Sequence, residues 1–145
     1  MELLSDDKTS TISFQVLGFE VEHYPSANLL VKVTDDGFSG SALVWVGADE
    51  WDAFVEQLRR CEQNRCGSAS LASMDPGEFT LRIEKGDSLG HLVARFQLTQ
   101  RHLTRAGNVA RTLTGGFDLD SEFFAQTVQE FTRFAGSVRN PGETA

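Results

Sequence analysis

The sequence predicts an α+β fold: one curved antiparallel sheet of about six or seven strands with two helices packed on one face, in the order βββαββββα. Three observations lead there. Several segments alternate apolar and polar residues at period two, which is the strand signature. The turns between successive segments are short, which joins them as antiparallel neighbours rather than crossover units. Two other stretches carry apolar residues at helical spacing, and each has one stripe that needs a sheet face to cover.

The first strand reads from Ser10 to Phe19, with Ile12, Phe14 and Val16 alternating against Ser13 and Gln15. The segment around Pro25 reads as a loop. Leu29 to Thr34 resumes the alternation, and Asp35, Asp36 and Gly37 supply a turn, since Asp and Gly tolerate positive φ. Phe38 to Val46 returns, with Phe38, Ala42, Val44 and Val46 on one parity and Leu43 and Trp45 on the other. Gly47 breaks this strand.

A helix over about Asp49 to Glu62 follows. Asp49 is placed to cap it, and Trp51, Phe54, Val55 and Leu58 form its apolar stripe. Glu50, Asp52 and Glu56 early, with Arg59 and Arg60 late, complement the helix dipole. Further strands are expected at Ala69 to Met74, Glu78 to Glu84, Leu92 to Thr99 and Asn108 to Phe117. The final helix has Asp120 or Ser121 as cap, Phe124, Val128 and Phe131 inward, and Gly136 as its stop. The chain is expected to form a single domain over residues 1–145, with a frayed tail from about residue 137.

Charge and composition exclude several functions. The formal net charge is −8, from 21 acidic and 13 basic side chains, which opposes nucleic-acid binding and anionic membranes. No run is long and apolar enough to cross a bilayer, and MELLSDDKTS lacks the layout of a signal peptide. These features predict a cytoplasmic protein, with Cys61 and Cys66 reduced. Eleven of the aromatics are Phe, which has no polar tip and is expected to fill the core.

Catalytic chemistry finds little footing. His23, His91 and His102 are scattered, and no serine sits in a nucleophile elbow, since GFSGSA lies within a strand hairpin. Cys61 and Cys66 stand without a second pair, so no metal site is expected. TDDGFSG is too short for a calcium loop. WVGADEW and LTGGFDLDSEFF carry too much acid to hold phosphate, so no cofactor is expected. Nothing singles out a pair of acids for glycoside chemistry. The expectation is a non-enzyme.

The residues MELLSDD, the hairpin LLVKVTDDGFSGSALVWV with its acidic helix start, SMDPGEFTLRI, the Gly90-His91 pair before a strand, and GGFDLDSEFF resemble a group of small bacterial proteins. That group is similar in layout to immunity proteins accompanying wall-associated and contact-dependent polymorphic toxins. The resemblance covers most of the chain through pattern and spacing, and it carries no catalytic residues. It implies a cytosolic protein that binds and blocks a cognate toxin, often a basic nuclease.

On that basis the expected protein-binding residues are Asp35, Asp36, Trp45, Asp49, Glu50 and Asp52, with Asp118 and Asp120 as secondary candidates. Turn, capping and dipole roles also account for these acids. Trp45 is the better candidate for an exposed anchor, and Trp51 for core. The expected partner is a protein, most concretely a basic toxin domain. A self-associating module, homodimeric through a sheet face, and a small-molecule binder are the alternatives.

Overall fold

The structure is a computed structural model that describes residues 1–64 and 67–142. The expectation for Cys66 lies outside these residues. Its elements are β1 (Glu2–Leu4), β2 (Ser10–Glu20), β3 (Ser26–Asp35), β4 (Phe38–Gly47), α1 (Ala48–Asn64), β5 (Ser68–Ala72), β6 (Phe79–Lys85), β7 (Leu92–Thr104), β8 (Gly107–Asp118) and α2 (Phe124–Arg139). The fold is α+β with two helices, as expected, but the strands form two four-stranded antiparallel sheets, β1-β2-β3-β4 and β5-β6-β7-β8. The single curved sheet is therefore corrected. The ladder breaks where α1 intervenes between β4 and β5, since a helix cannot act as a hairpin turn. Period-two alternation assigns each strand a face but does not name its neighbour across a helix.

The two sheets are tied along both pairs of edges. After β1, Ser5 bridges Leu119 just beyond β8. Asp6 N donates to Asp118 O at 3.0 Å, and Asp120 N donates to Leu4 O at 3.0 Å. At the other edge, Met74 N donates to Trp45 O at 2.8 Å, joining the segment after β5 to β4. β1 escapes sequence reading because three residues are too few to show a period. Lys8 reinforces its seam: Nζ lies 2.7 Å from Asp120 Oδ2 and 5.1 Å from the Phe123 ring centroid.

Parity in the strands follows the sequence. Ala27, Leu29, Val31 and Val33 of β3, Ala42, Val44 and Val46 of β4, and Phe79, Leu81 and Ile83 of β6 are buried in one continuous core. In β2, Ile12 and Phe14 are buried, but the register shifts between Val16 and Gly18 and Val16 becomes exposed. The β3–β4 turn is built as its residues demand, with φ of 45° at Asp36 and 94° at Gly37. Two successive positive values make the twisted hairpin turn that suits right-handed strands.

Phe14 of β2 is where the layers meet. Its ring lies 5.8 Å from Phe79 of the second sheet, 6.1 Å from Trp51 of α1 and 5.5 Å from Phe131 of α2. Trp51 stacks on Phe131 at 5.7 Å and meets Phe134 edge-on at 5.1 Å. Both helices thus pack into the core that the two sheets share, rather than onto one face of a single sheet. Among the described residues the buried Trp51 indole N–H has no hydrogen-bond partner. An orphaned donor of this kind costs about 1–3 kcal/mol.

The helix ends depart from the expected caps. Ala48 N, not a side chain, anchors the start of α1, donating to Pro25 O at 2.8 Å. Asp49 lies inside the first turn, and α1 runs on to Asn64, leaving Arg59 and Arg60 short of its end. Phe123 is the N-cap of α2, without a side-chain bond. Asp120 instead accepts from Glu122 N at 2.9 Å, a turn ahead of the helix. Gly136 does not stop α2, which continues to Arg139 because Val138 is buried and holds the last turn down.

Phe131→Ala is expected to lower stability by about 3–5 kcal/mol in urea denaturation, the usual cost of emptying an aromatic core site. Trp51→Phe is expected to cost less, because it removes the orphaned donor and leaves a smaller void. A second prediction concerns pH. The hydrogen bond from Lys8 holds the Asp120 carboxyl below its ordinary value of 3.8. A carboxyl depressed by folding contributes stability that is present above that value and lost as pH falls through the lowered one. Asp120→Asn should therefore flatten the acid limb of a stability-against-pH curve.

Candidate protein-binding surface

The helices occupy the inner side of the first sheet, so its outer face is uncovered. Opposite parities place Asn28, Leu30 and Lys32 of β3 beside Trp45, Leu43 and Ser41 of β4, each directly paired across the ladder. Leu43 is 61% exposed and Trp45 40% exposed. A leucine and a tryptophan side by side on a sheet face form an apolar patch of the kind that marks a contact surface.

Beside Trp45 lies a shallow hollow of about 370 Å³, lined by Glu20, His23, Tyr24, Ser26, Trp45, Met74 and Asp75. Three local constraints shape it. The Met74 amide is fixed on Trp45 O. Ser26 Oγ donates to Tyr24 O at 3.1 Å, which holds the loop before β3. The Tyr24 hydroxyl donates to Glu50 Oε2 at 3.2 Å. Gly47 makes room for that pair, since a Cβ there would lie 2.6 Å from Tyr24 Cε1 and overlap the Glu50 carboxylate. Partial burial, then the charge of Glu50, pushes the Tyr24 phenol above its ordinary value of 10.0. The Glu22 amide, 2.9 Å from Glu20 Oε1, holds Glu20 below its ordinary range, so it stays ionised on the rim.

The six residues singled out by sequence do not form one cluster. Asp35 and Asp36 sit at one end of β4 and Trp45, Asp49, Glu50 and Asp52 at the other, about 30 Å apart at ~3.4 Å per strand residue. Asp35 accepts from Ser10 Oγ at 2.7 Å, while Asp36 is exposed in the turn. Asp49 and Asp52 both engage Arg139 in the last turn of α2, with Arg139 Nε 2.9 Å from Asp52 Oδ2. That clamp joins the two helices and accounts for acids that capping does not. Asp118 is exposed and Asp120 is held by Lys8.

Sequence reasoning missed Tyr24, Met74, Glu20 and Asp75. Leu43 was visible there, because it shares the parity of Trp45. Glu20 is the last residue of β2, past its register shift, and the others come from loops, where no period tells which side chains will meet. Among the described residues no three His, Cys, Asp or Glu side chains gather at metal-ligating distance. None of their helices is long and apolar enough to cross a membrane.

The family model of the immunity protein WapI-like family matches residues 3–135. The chain belongs to the WapI-like immunity protein family. No curated protein and no solved structure matches it. The match runs from β1 into α2, so it takes in both sheets, the Trp45 hollow and the hairpin turn at Asp36. It stops short of Arg139, so the Asp49–Arg139–Asp52 clamp rests partly on residues beyond the match. Membership brings an immunity-type role and, with it, a protein partner.

Tyr24 is the one tyrosine in the chain, so its phenol can be followed alone by ultraviolet absorbance. Its titration is expected above 10.0. Glu50→Gln should bring it down toward that value, because it removes the nearby negative charge.

Proposed function

We propose that this chain is a cytosolic, non-catalytic immunity protein that binds a cognate bacterial toxin and blocks it, with Trp45 as the central anchor. The observation that carries the reading is an exposed Trp45 beside Leu43 on a rigid strand, in a chain of the immunity family. Trp is favoured at binding hot spots, and an anchor already fixed by a β-ladder loses little freedom on binding. The hollow beside it offers a socket for a partner side chain.

The rim acids Glu20, Glu50 and Asp75 favour a basic partner surface. A net charge of −8 would steer such a partner in and speed the encounter. Asp35 and Asp36 lie too far along β4 to join a contact centred on Trp45, and act through this wider field. Asp49 and Asp52 hold the helices that support the site, through Arg139.

A toxin-like domain encoded immediately upstream of this chain's gene would be the partner to use. Co-expression with the wild-type chain should restore growth to cells making that domain. Trp45→Ala should weaken binding at least about 30-fold, the effect of losing a hot spot of ~2 kcal/mol. Cells that die despite the wild-type chain would sink the reading, and equal binding by the variant would remove Trp45 from it. Sedimentation of the chain alone separates this from two-fold self-association through the same face.

A further inference from the structure

The hairpin of β7 and β8 reaches past the sheet it belongs to. Up to Leu98 and Leu113 it packs on the first sheet, where Gly40 of β4 leaves room: a Cβ there would lie 3.5 Å from the Leu113 side chain and 3.7 Å from Leu98. Beyond that point the two strands stay paired from Thr99↔Thr112 to Thr104↔Gly107. Their side chains from Gln100 to Arg111 are nearly all exposed, on both faces of the ribbon. Gln100 Nε2 makes one contact back, donating to Ser41 O at 3.4 Å. A two-stranded ribbon with no covered face is marginal by itself in water, so it is an element waiting for a surface to lie on.

Its charge runs opposite to the rest of the chain. No Asp or Glu occurs between Asp87 and Asp118, whereas the arm carries Arg101, Arg105 and Arg111. Among the described residues Arg105 and Arg111 make no ion pair, and Arg101 acts only at longer range, on Glu78. Of the acids that sequence reading assigned to binding, Asp35, Glu50, Asp49 and Asp52 are already engaged, on Ser10, Tyr24 and Arg139, while Asp36 is exposed in its turn. Leu103 is exposed among these cations.

We infer that the β7–β8 arm is a second contact element of this protein, and that it docks on a carboxylate-rich surface of the protein partner. The inference rests on the immunity reading for who that partner is, and adds the chemistry of the surface it must offer. Charge complementarity selects the occupant. Three unpaired guanidiniums suit carboxylates, which they hold with paired hydrogen bonds. A nucleic acid fits less well, because a polyanion extending past three arginines would meet a chain of net charge −8. Ser41, beside the arm, is four residues from Trp45, about 14 Å along β4 at ~3.4 Å per residue. The partner then presents a basic or apolar area to Trp45 and an acidic one to the arm.

The test is a nuclear magnetic resonance titration of the isotope-labelled full chain with poly-L-glutamate, and in parallel with short double-stranded DNA. Poly-L-glutamate should shift the amides of Gln100 to Arg111, and added salt should reverse the shift. The triple variant Arg101→Ala, Arg105→Ala, Arg111→Ala should keep the rest of the spectrum and bind about tenfold more weakly, as expected for three exposed charge pairs. No shift, a shift centred elsewhere, tighter binding of DNA at equal salt, or arm-dependent self-association would each overturn the inference. Failure of the wild-type chain to neutralise such a toxin domain would defeat the immunity reading, while the polymer titration still decides the arm.

Discussion

The structure depends on four aromatic rings in a shared interior. Phe14 from the first sheet, Trp51 from α1, and Phe131 and Phe134 from α2 contact one another in a chain of edge-on and stacked pairs. Phe79 brings the second sheet to the same point. Rings of this size bury much apolar area and prefer definite angles, so they set the orientation of each layer as well as holding it. With α1 and α2 occupying the interior, each sheet has one face committed to the core. The outer face of β4 follows from that, and so does the display of Leu43 and Trp45.

The edges are closed by a different kind of interaction. Backbone hydrogen bonds at Ser5–Leu119 and at Trp45–Met74, with the Lys8–Asp120 pair beside the first, join two sheets whose strands end in sequence far apart. The Trp45–Met74 bond has a second effect. It carries Met74 and Asp75 to the side of Trp45 and completes the hollow there, so one bond serves both the fold and the proposed contact.

Net charge describes this protein poorly until its charges are placed. Many of its acids work inside the fold: Asp120 on Lys8, Asp49 and Asp52 on Arg139, Glu84 between Arg82 and Arg95. The arginines of the β7–β8 arm do not. A surface acidic on average therefore offers cations on an exposed two-stranded arm, and the two signs suit different parts of one partner.

The α+β class, the faces of the main strands, the Asp36–Gly37 turn and both helical stripes were legible in the sequence, because each depends on a period or on a local φ preference. Trp45 outside follows from strand parity, and Trp51 in the core from the helical stripe. Other features depend on distance in space between residues remote in the chain. They include the division into two sheets, the three-residue β1, the pairing of Asp49 and Asp52 with Arg139, and the gathering of Tyr24, Met74 and Asp75 around Trp45. The reach of the β7–β8 arm belongs with them, since alternation continues along a strand whether or not anything covers it. Local pattern determined what each segment is and which side it buries. Only tertiary packing decided what lies against the other side, because that is set by which apolar faces find one another and by which edges their closure brings together.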